Sequence, residues 1–167
     1  MYIDKNFFNG CGHFPLFWFM KNNKGYAHYW LVEDDVRFTG NWNDFFSGFS
    51  VEYDLLTSHI RYENNNSTWP WINAFLFENG NIVPNNYMKK LASFNTIYRL
   101  SNQAMHYLTV KYGIDHFRGH HELTMPTLLY NNNFKIGDFG EQGDFIMPEL
   151  ERSFYASETN RFRPIYN

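Results

Sequence analysis

The chain has 167 residues, a formal net charge of -3 at pH 7 and no long basic stretch, which excludes nucleic-acid binding through counterion release from clustered Lys and Arg. With 44% hydrophobic and 19% charged residues it reads as an ordered globular chain, and its length suits a single domain over residues 1–167 with a core of its own. Aromatic residues make up 21% of it, enough to build a core and also to offer rings on which sugars or bases stack.

Cys11 is the single cysteine, so neither a disulfide framework within the chain nor a multi-cysteine metal site is available, and a reducing, cytoplasmic setting is the expectation. Residues Phe14 to Met20 form an apolar run that suits a buried strand or a short helix, and periodicity leaves both open. The run is too short for a signal peptide and carries Pro15, and no apolar run approaches the roughly 20 residues that cross a bilayer. Asn22-Asn23-Lys24-Gly25 is a turn, and Tyr29 to Glu33 is a strand. After a turn at Thr39-Gly40-Asn41, Trp42 to Phe49 predicts a short amphipathic helix with Phe45, Phe46 and Phe49 on one side.

A second core strand is predicted over Asp54 to Ile60. From Arg61 to Pro84 come three consecutive Asn, Trp69-Pro70-Trp71 and Asn79-Gly80-Asn81, which read as a long irregular insertion of the kind that often carries function. Thr96 to Leu100 is strand-like, and Ser101 is placed to cap a helix running to about Tyr112 and ended by Gly113. A further helix begins near Glu122, with Pro126 obscuring its start, and Phe134 to Asp138 is a last short strand. The tail from Glu149 is polar with scattered aromatics. Strand-then-helix alternation predicts an α/β unit with a mixed, largely parallel sheet flanked by helices, its site at the carboxyl ends of the strands.

Glu33-Asp34-Asp35 stands at one such end, directly after the apolar residues of a strand. Adjacent carboxylates repel, and desolvating them is costly unless a cation or donors compensate. Two of them aimed into a cleft would hold a divalent metal, and oxygen-only ligands favour Mg²⁺ or Mn²⁺ over Zn²⁺. A solvated acidic turn is the plain alternative. His120-His121, with His116 before them, do not make a standard zinc spacing.

Trp30-x-x-Glu33-Asp34-Asp35-Val36, Asp54-Leu55-Leu56, Arg99-x-Ser101 and Gly119-His120-His121-Glu122 follow one another in order. As a set, from about Tyr29 to Gly143, they resemble the catalytic half of a GT-A-type glycosyltransferase. The resemblance implies a GT-A-like, possibly truncated fold in which Glu33 and Asp35 hold Mn²⁺ or Mg²⁺ against the diphosphate of a nucleotide-sugar donor. It further implies that Glu122 deprotonates a hydroxyl of a sugar or glycan acceptor. Asp34, Arg99, His120 and His121 would then neighbour the donor phosphates. The family's nucleotide-binding portion is longer than the 28 residues before Tyr29, and its late histidine ligand has no counterpart after His121. A partner chain supplying the nucleotide-binding part is the matching expectation.

Each of these side chains also has a structural reading. Glu122 at a helix start gains from the macrodipole without any catalytic duty. Arg99 has the alternative of pairing with a buried acid instead of phosphate, Ser101 is assigned to capping, and Trp30 and Trp42 to the core. Trp69 and Trp71, held by Pro70, would flank an acceptor sugar or simply pack. Two rival functions use the same residues: a non-catalytic carbohydrate- or partner-binding relative, and a metal-dependent phosphate-ester hydrolase.

Overall fold

A computed structural model describes residues 13–38, 40–49, 52–63, 76–84, 86–139 and 144–147, together with two short strands at 155–156 and 161–162. In chain order the elements are α1 (His13–Asn22), β1 (His28–Val32), α2 (Trp42–Ser47), β2 (Leu55–Tyr62), β3 (Phe77–Glu78), β4 (Asn81–Ile82), β5 (Leu91–Ser101), α3 (Asn102–Gly113), α4 (His121–Tyr130), β6 (Ile136–Asp138), β7 (Tyr155–Ala156) and β8 (Arg161–Phe162). Four of the strands form the central sheet in the order β1-β5-β2-β6.

The sheet is mixed but mostly antiparallel, which corrects the largely parallel arrangement expected from the alternation of strands and helices. β5 pairs antiparallel with both β1 and β2, and only β2 and β6 pair in parallel. The physical reason lies between β2 and β5, where the described residues hold a hairpin and no crossover helix. A parallel return needs such a crossover, whereas an antiparallel one does not. β1 and β2, joined through α2, still run the same way as β6. The odd strand, β5, sits between β1 and β2.

Side chains alternate across this sheet into two apolar layers. Tyr29, Leu55, Tyr98 and Leu100 pack with α1, α3 and α4, while Trp30, Leu56 and Ile97 pack with Phe45 and Phe49 of the α2 region. Leu55 and Leu56 are both wholly buried, one in each layer. Residues Phe14 to Met20 resolve as helix: His13, Leu16, Phe17 and Met20 form the buried stripe at helical spacing. Trp18 and Phe19 are exposed at 57% and 46%, which is why the run looks uniformly apolar in sequence.

Ser101 caps α3 as expected, its side chain accepting from the Ala104 N–H at 3.1 Å while its hydroxyl donates to Asp54 at 2.6 Å. The helix ends at Gly113. α4 starts at His121 and continues through Pro126, although proline has no N–H to offer the carbonyl of Glu122 four residues back. Burial outweighs that loss, since every residue from His121 to Leu129 is buried. The insertion expected from Arg61 is partly regular. β2 runs on to Tyr62, and β3 and β4 pair around Asn79 (φ 49°) and Gly80 (φ 80°), the positive pair that a two-residue hairpin turn needs. Trp69 and Trp71 lie outside the described residues.

Candidate functional site at the carboxyl end of the sheet

Glu33 is the first residue past β1. Its N–H donates to the Thr96 carbonyl of β5 at 2.9 Å, and its own carbonyl accepts from Val36 at 3.1 Å, closing a turn. Asp34 and Asp35 are the central residues of that turn and are exposed, while Glu33 is half-buried. Arg37 braces the turn by donating to the Asp34 carbonyl at 2.8 Å. Burial raises the Glu33 carboxyl above its usual range, and the charges of Asp35 and Asp34 push it further the same way. Alternation from Tyr29 and Leu31, carried one residue past β1, puts Glu33 on the face covered by α1, α3 and α4.

The neighbour of Thr96 on β5 is Asn95, and its N–H donates to Oε1 of Glu122 at 3.2 Å. Consecutive residues of one strand therefore hold the acidic turn and the first turn of α4. The Asn95 side chain is buried and ties the region together. Its Oδ1 accepts from the hydroxyls of Thr57 (2.8 Å) and Ser93 (2.7 Å), and its Nδ2 donates to the His121 carbonyl at 3.4 Å. The Asn95 N–H and the start of α4 both favour a negative charge on Glu122.

His120 caps α4 through its ring: Nδ1 accepts from the Glu122 N–H at 3.3 Å and lies 3.7 Å from Glu122 Oε2. Burial pushes its pKa down to about 4, so the ring is neutral at pH 7, with its proton on Nε2 because Nδ1 is accepting. The His121 ring lies 4.9 Å from that of His120 and 5.8 Å from that of His13, tilted against both. His13 is buried between α1 and α3, its ring 4.6 Å from Tyr112. Its pKa lies well below the ordinary value, first through burial and then through His121, His120 and Arg118.

A bulge in β2 completes this end of the sheet. The β2–β5 register shifts on either side of Ser58, and His59 takes φ 54°. The displaced Ile60 N–H donates to Oδ2 of Asp138 at 2.7 Å, a fully buried acid in the last position of β6. Burial, then Arg61, lowers the pKa of His59 to about 4. Glu33, one residue past β1, and Asp138, the last residue of β6, thus stand at the carboxyl ends of two co-directional strands, while His59 lies within β2.

Of the residues singled out in sequence, Glu33, Asp34, Asp35, His120, His121 and Glu122 come to this end of the sheet. Arg99 stands on the other face: it is buried, donates from Nη2 to the Tyr53 carbonyl at 3.3 Å and lies 5.8 Å from the Trp30 ring. Burial lowers its pKa to about 10. His116 is exposed. Sequence reasoning missed Asn95, Asp138 and His13. A run of polar side chains inside an apolar strand (Ser93, Asn95, Thr96) is the signal that marks Asn95, and nothing local marks His13.

Among the described residues, no group of three or more His, Cys, Asp or Glu side chains is arranged to hold a metal ion. Mg²⁺ is commonly held by one or two carboxylates with the remaining positions filled by substrate phosphate and water, not by a complete protein cage. Among the described residues no helix is long and apolar enough to cross a membrane. No protein-family model matches the chain, and neither a curated protein nor a solved structure matches it.

Proposed function

We propose that the chain is a GT-A-like domain that moves a hexosyl-type group from a nucleotide-diphospho-sugar to a sugar or glycan hydroxyl, with Mn²⁺ or Mg²⁺ as cofactor. The observation that supports this reading most is the clamp on β5, in which Thr96 fixes the acidic turn and Asn95 fixes Glu122 one residue away.

In this reading Glu33 and Asp35 hold the cation, which when bound stabilises the charge that builds on the departing diphosphate. Asp34 sits between them, and Arg37 keeps the turn in shape through the Asp34 carbonyl. Glu122 takes the acceptor proton, and the Asn95 N–H, donating to its Oε1, holds the carboxylate in place. His120 acts on the backbone instead: its neutral ring accepts from the Glu122 N–H at 3.3 Å and so positions the first turn of α4.

A second reading has one observation in its favour. The bond from Asn95 to Glu122 fastens α4 to β5, a duty that a non-catalytic carbohydrate- or partner-binding relative would keep.

Thermal-shift titration separates the two. Mn²⁺ together with a UDP- or GDP-sugar should raise the melting temperature, and Asp35→Ala should abolish the rise. A ligand at a hundred times its Kd adds about 2.7 kcal/mol of stability. The same stability with and without every donor would sink the sugar-transfer reading.

A further inference from the structure

The β3–β4 hairpin walls a second cleft, of about 340 Å³, lined by Glu78, Asn79, Asn81, Ile82, Pro84 and Tyr87. That volume falls in the range of small-ligand sites, roughly 300–1,000 Å³. Tyr87 and Ile82 stand 65% and 55% exposed beside two carboxamides and a carboxylate. We propose that this cleft is a subsite for a neutral sugar unit, the outer unit of the glycan acceptor whose reacting hydroxyl lies at Glu122. The proposal rests on the sugar-transfer reading for the acceptor's identity, but the cleft's chemistry stands apart from it.

The lining selects the ligand class. Among the described residues no Lys or Arg lines the cleft, so they offer a phosphate or other anion no direct counter-charge there. The Glu78 carboxylate is 4.0 Å from Lys111 Nζ, which in turn holds Asp115 at 2.7 Å, so the wall charge is partly balanced. Carboxamides donate and accept at once, which matches the hydroxyls of a sugar, and an exposed tyrosine ring offers a flat apolar face for sugar C–H groups. A purely apolar ligand would strand three polar side chains.

The cleft is also held ready. The turn is fixed by Asn79 and Gly80 at positive φ, and the Asn79 N–H donates to the Asp115 carbonyl at 3.2 Å. Val83 N–H reaches the Leu76 carbonyl at 2.8 Å, and Tyr87 N–H reaches that of Pro84 at 3.0 Å. Such preorganisation lowers the ordering cost of binding. Phe77 and Arg118 exchange backbone hydrogen bonds of 3.0 and 2.7 Å, so the hairpin is fastened to the segment that leads through Gly119 and His120 into Glu122. The pairing fastens one wall of the cleft to the chain that leads into α4.

The test is a titration of the ¹⁵N-labelled full chain with chitotriose, cellotriose, maltotriose and mannotriose, without metal or donor. At least one trisaccharide should shift amides between Glu78 and Tyr87. Tyr87→Ala should weaken that binding about tenfold and Asn81→Ala by a smaller factor, both substitutions being exposed and tolerable to the fold. Absence of shifts at about 10 mM of every sugar would overturn the proposal, as would shifts that survive Tyr87→Ala or that inorganic phosphate reproduces. Donor-dependent transfer without binding here would sink the subsite alone. Binding here without transfer by any donor would sink the sugar-transfer reading and keep the cleft as a carbohydrate site.

Discussion

Asn95→Ala probes the junction on which the candidate site is built. Asn95 is 1% exposed, and its side chain accepts two hydroxyl hydrogen bonds and donates one to the His121 carbonyl. Thr57 keeps a partner after the change, because its hydroxyl also reaches the Phe94 carbonyl at 2.9 Å. Ser93 loses its bond to Asn95 inside the core. Taking about 1 kcal/mol for each ordinary bond and about 1–3 kcal/mol for a buried group left without its partner, the loss comes to about 2–4 kcal/mol. For a chain of this size each kcal/mol moves the melting temperature by roughly 2–4 °C, so a drop of about 5–15 °C is expected. Urea unfolding followed by tryptophan fluorescence measures it, with the denaturant slope unchanged. Ser93→Ala should cost less alone, and the double substitution should cost less than the sum. A loss below about 0.5 kcal/mol, or strict additivity, would refute the network.

Three other perturbations follow from the same structure. His13, His59 and His120 are all held below the ordinary 6.5, mainly by burial, so below that pH the unfolded chain binds more protons and stability falls. The fall runs from pH 6.5 to about 4 for His59 and His120 and further down for His13. A fully buried group adds up to about 1.4 kcal/mol per pH unit, and the two half-buried rings add less. Glu33 works in the opposite sense, its stability being lost as pH rises through its raised value. A urea midpoint that stays level between about pH 7 and pH 5 would contradict this. Gly137→Ala brings a Cβ to 2.8 Å from the Tyr53 ring and 3.0 Å from Leu56, which should cost about 1–3 kcal/mol by thermal melting; an unchanged melt would refute the packing of Tyr53 on β6. Tyr98→Phe removes a buried hydroxyl that makes no hydrogen bond among the described residues, so stability should hold or rise by about 1 kcal/mol, and a clear loss would show that the hydroxyl has a partner.

What could be read from the sequence was what is local. The strand at Tyr29, the helix from Trp42, the Ser101 cap and the helix start near Glu122 each carry a signal within a few residues of themselves. So does the acidic turn after β1. Pairing does not: nothing between Leu91 and Ser101 says that β5 lies between β1 and β2, because that depends on contacts with segments far off in sequence. β5 also begins earlier than its β-branched stretch at Thr96 and Ile97 suggests, since Ser93 and Asn95 are polar residues satisfied only in the folded state. α1 stayed open between helix and strand because its outer face carries Trp18 and Phe19. Asp138 looked like an ordinary strand-end acid until the bulge in β2 presented it with the Ile60 N–H.

Paramagnetic relaxation by Mn²⁺ on the ¹⁵N-labelled chain tests the central claim most directly, since broadening falls steeply with distance from the bound ion. If Glu33 and Asp35 hold the cation in a cleft shared with Glu122, sub-stoichiometric Mn²⁺ will broaden the amides of Glu33 to Val36 first. Those of Asn95, Thr96 and Glu122 will follow, and Asp35→Ala will restore all of them. Broadening centred on other exposed acids such as Glu52 or Asp144, or broadening of the acidic turn that never reaches Glu122, would contradict the account.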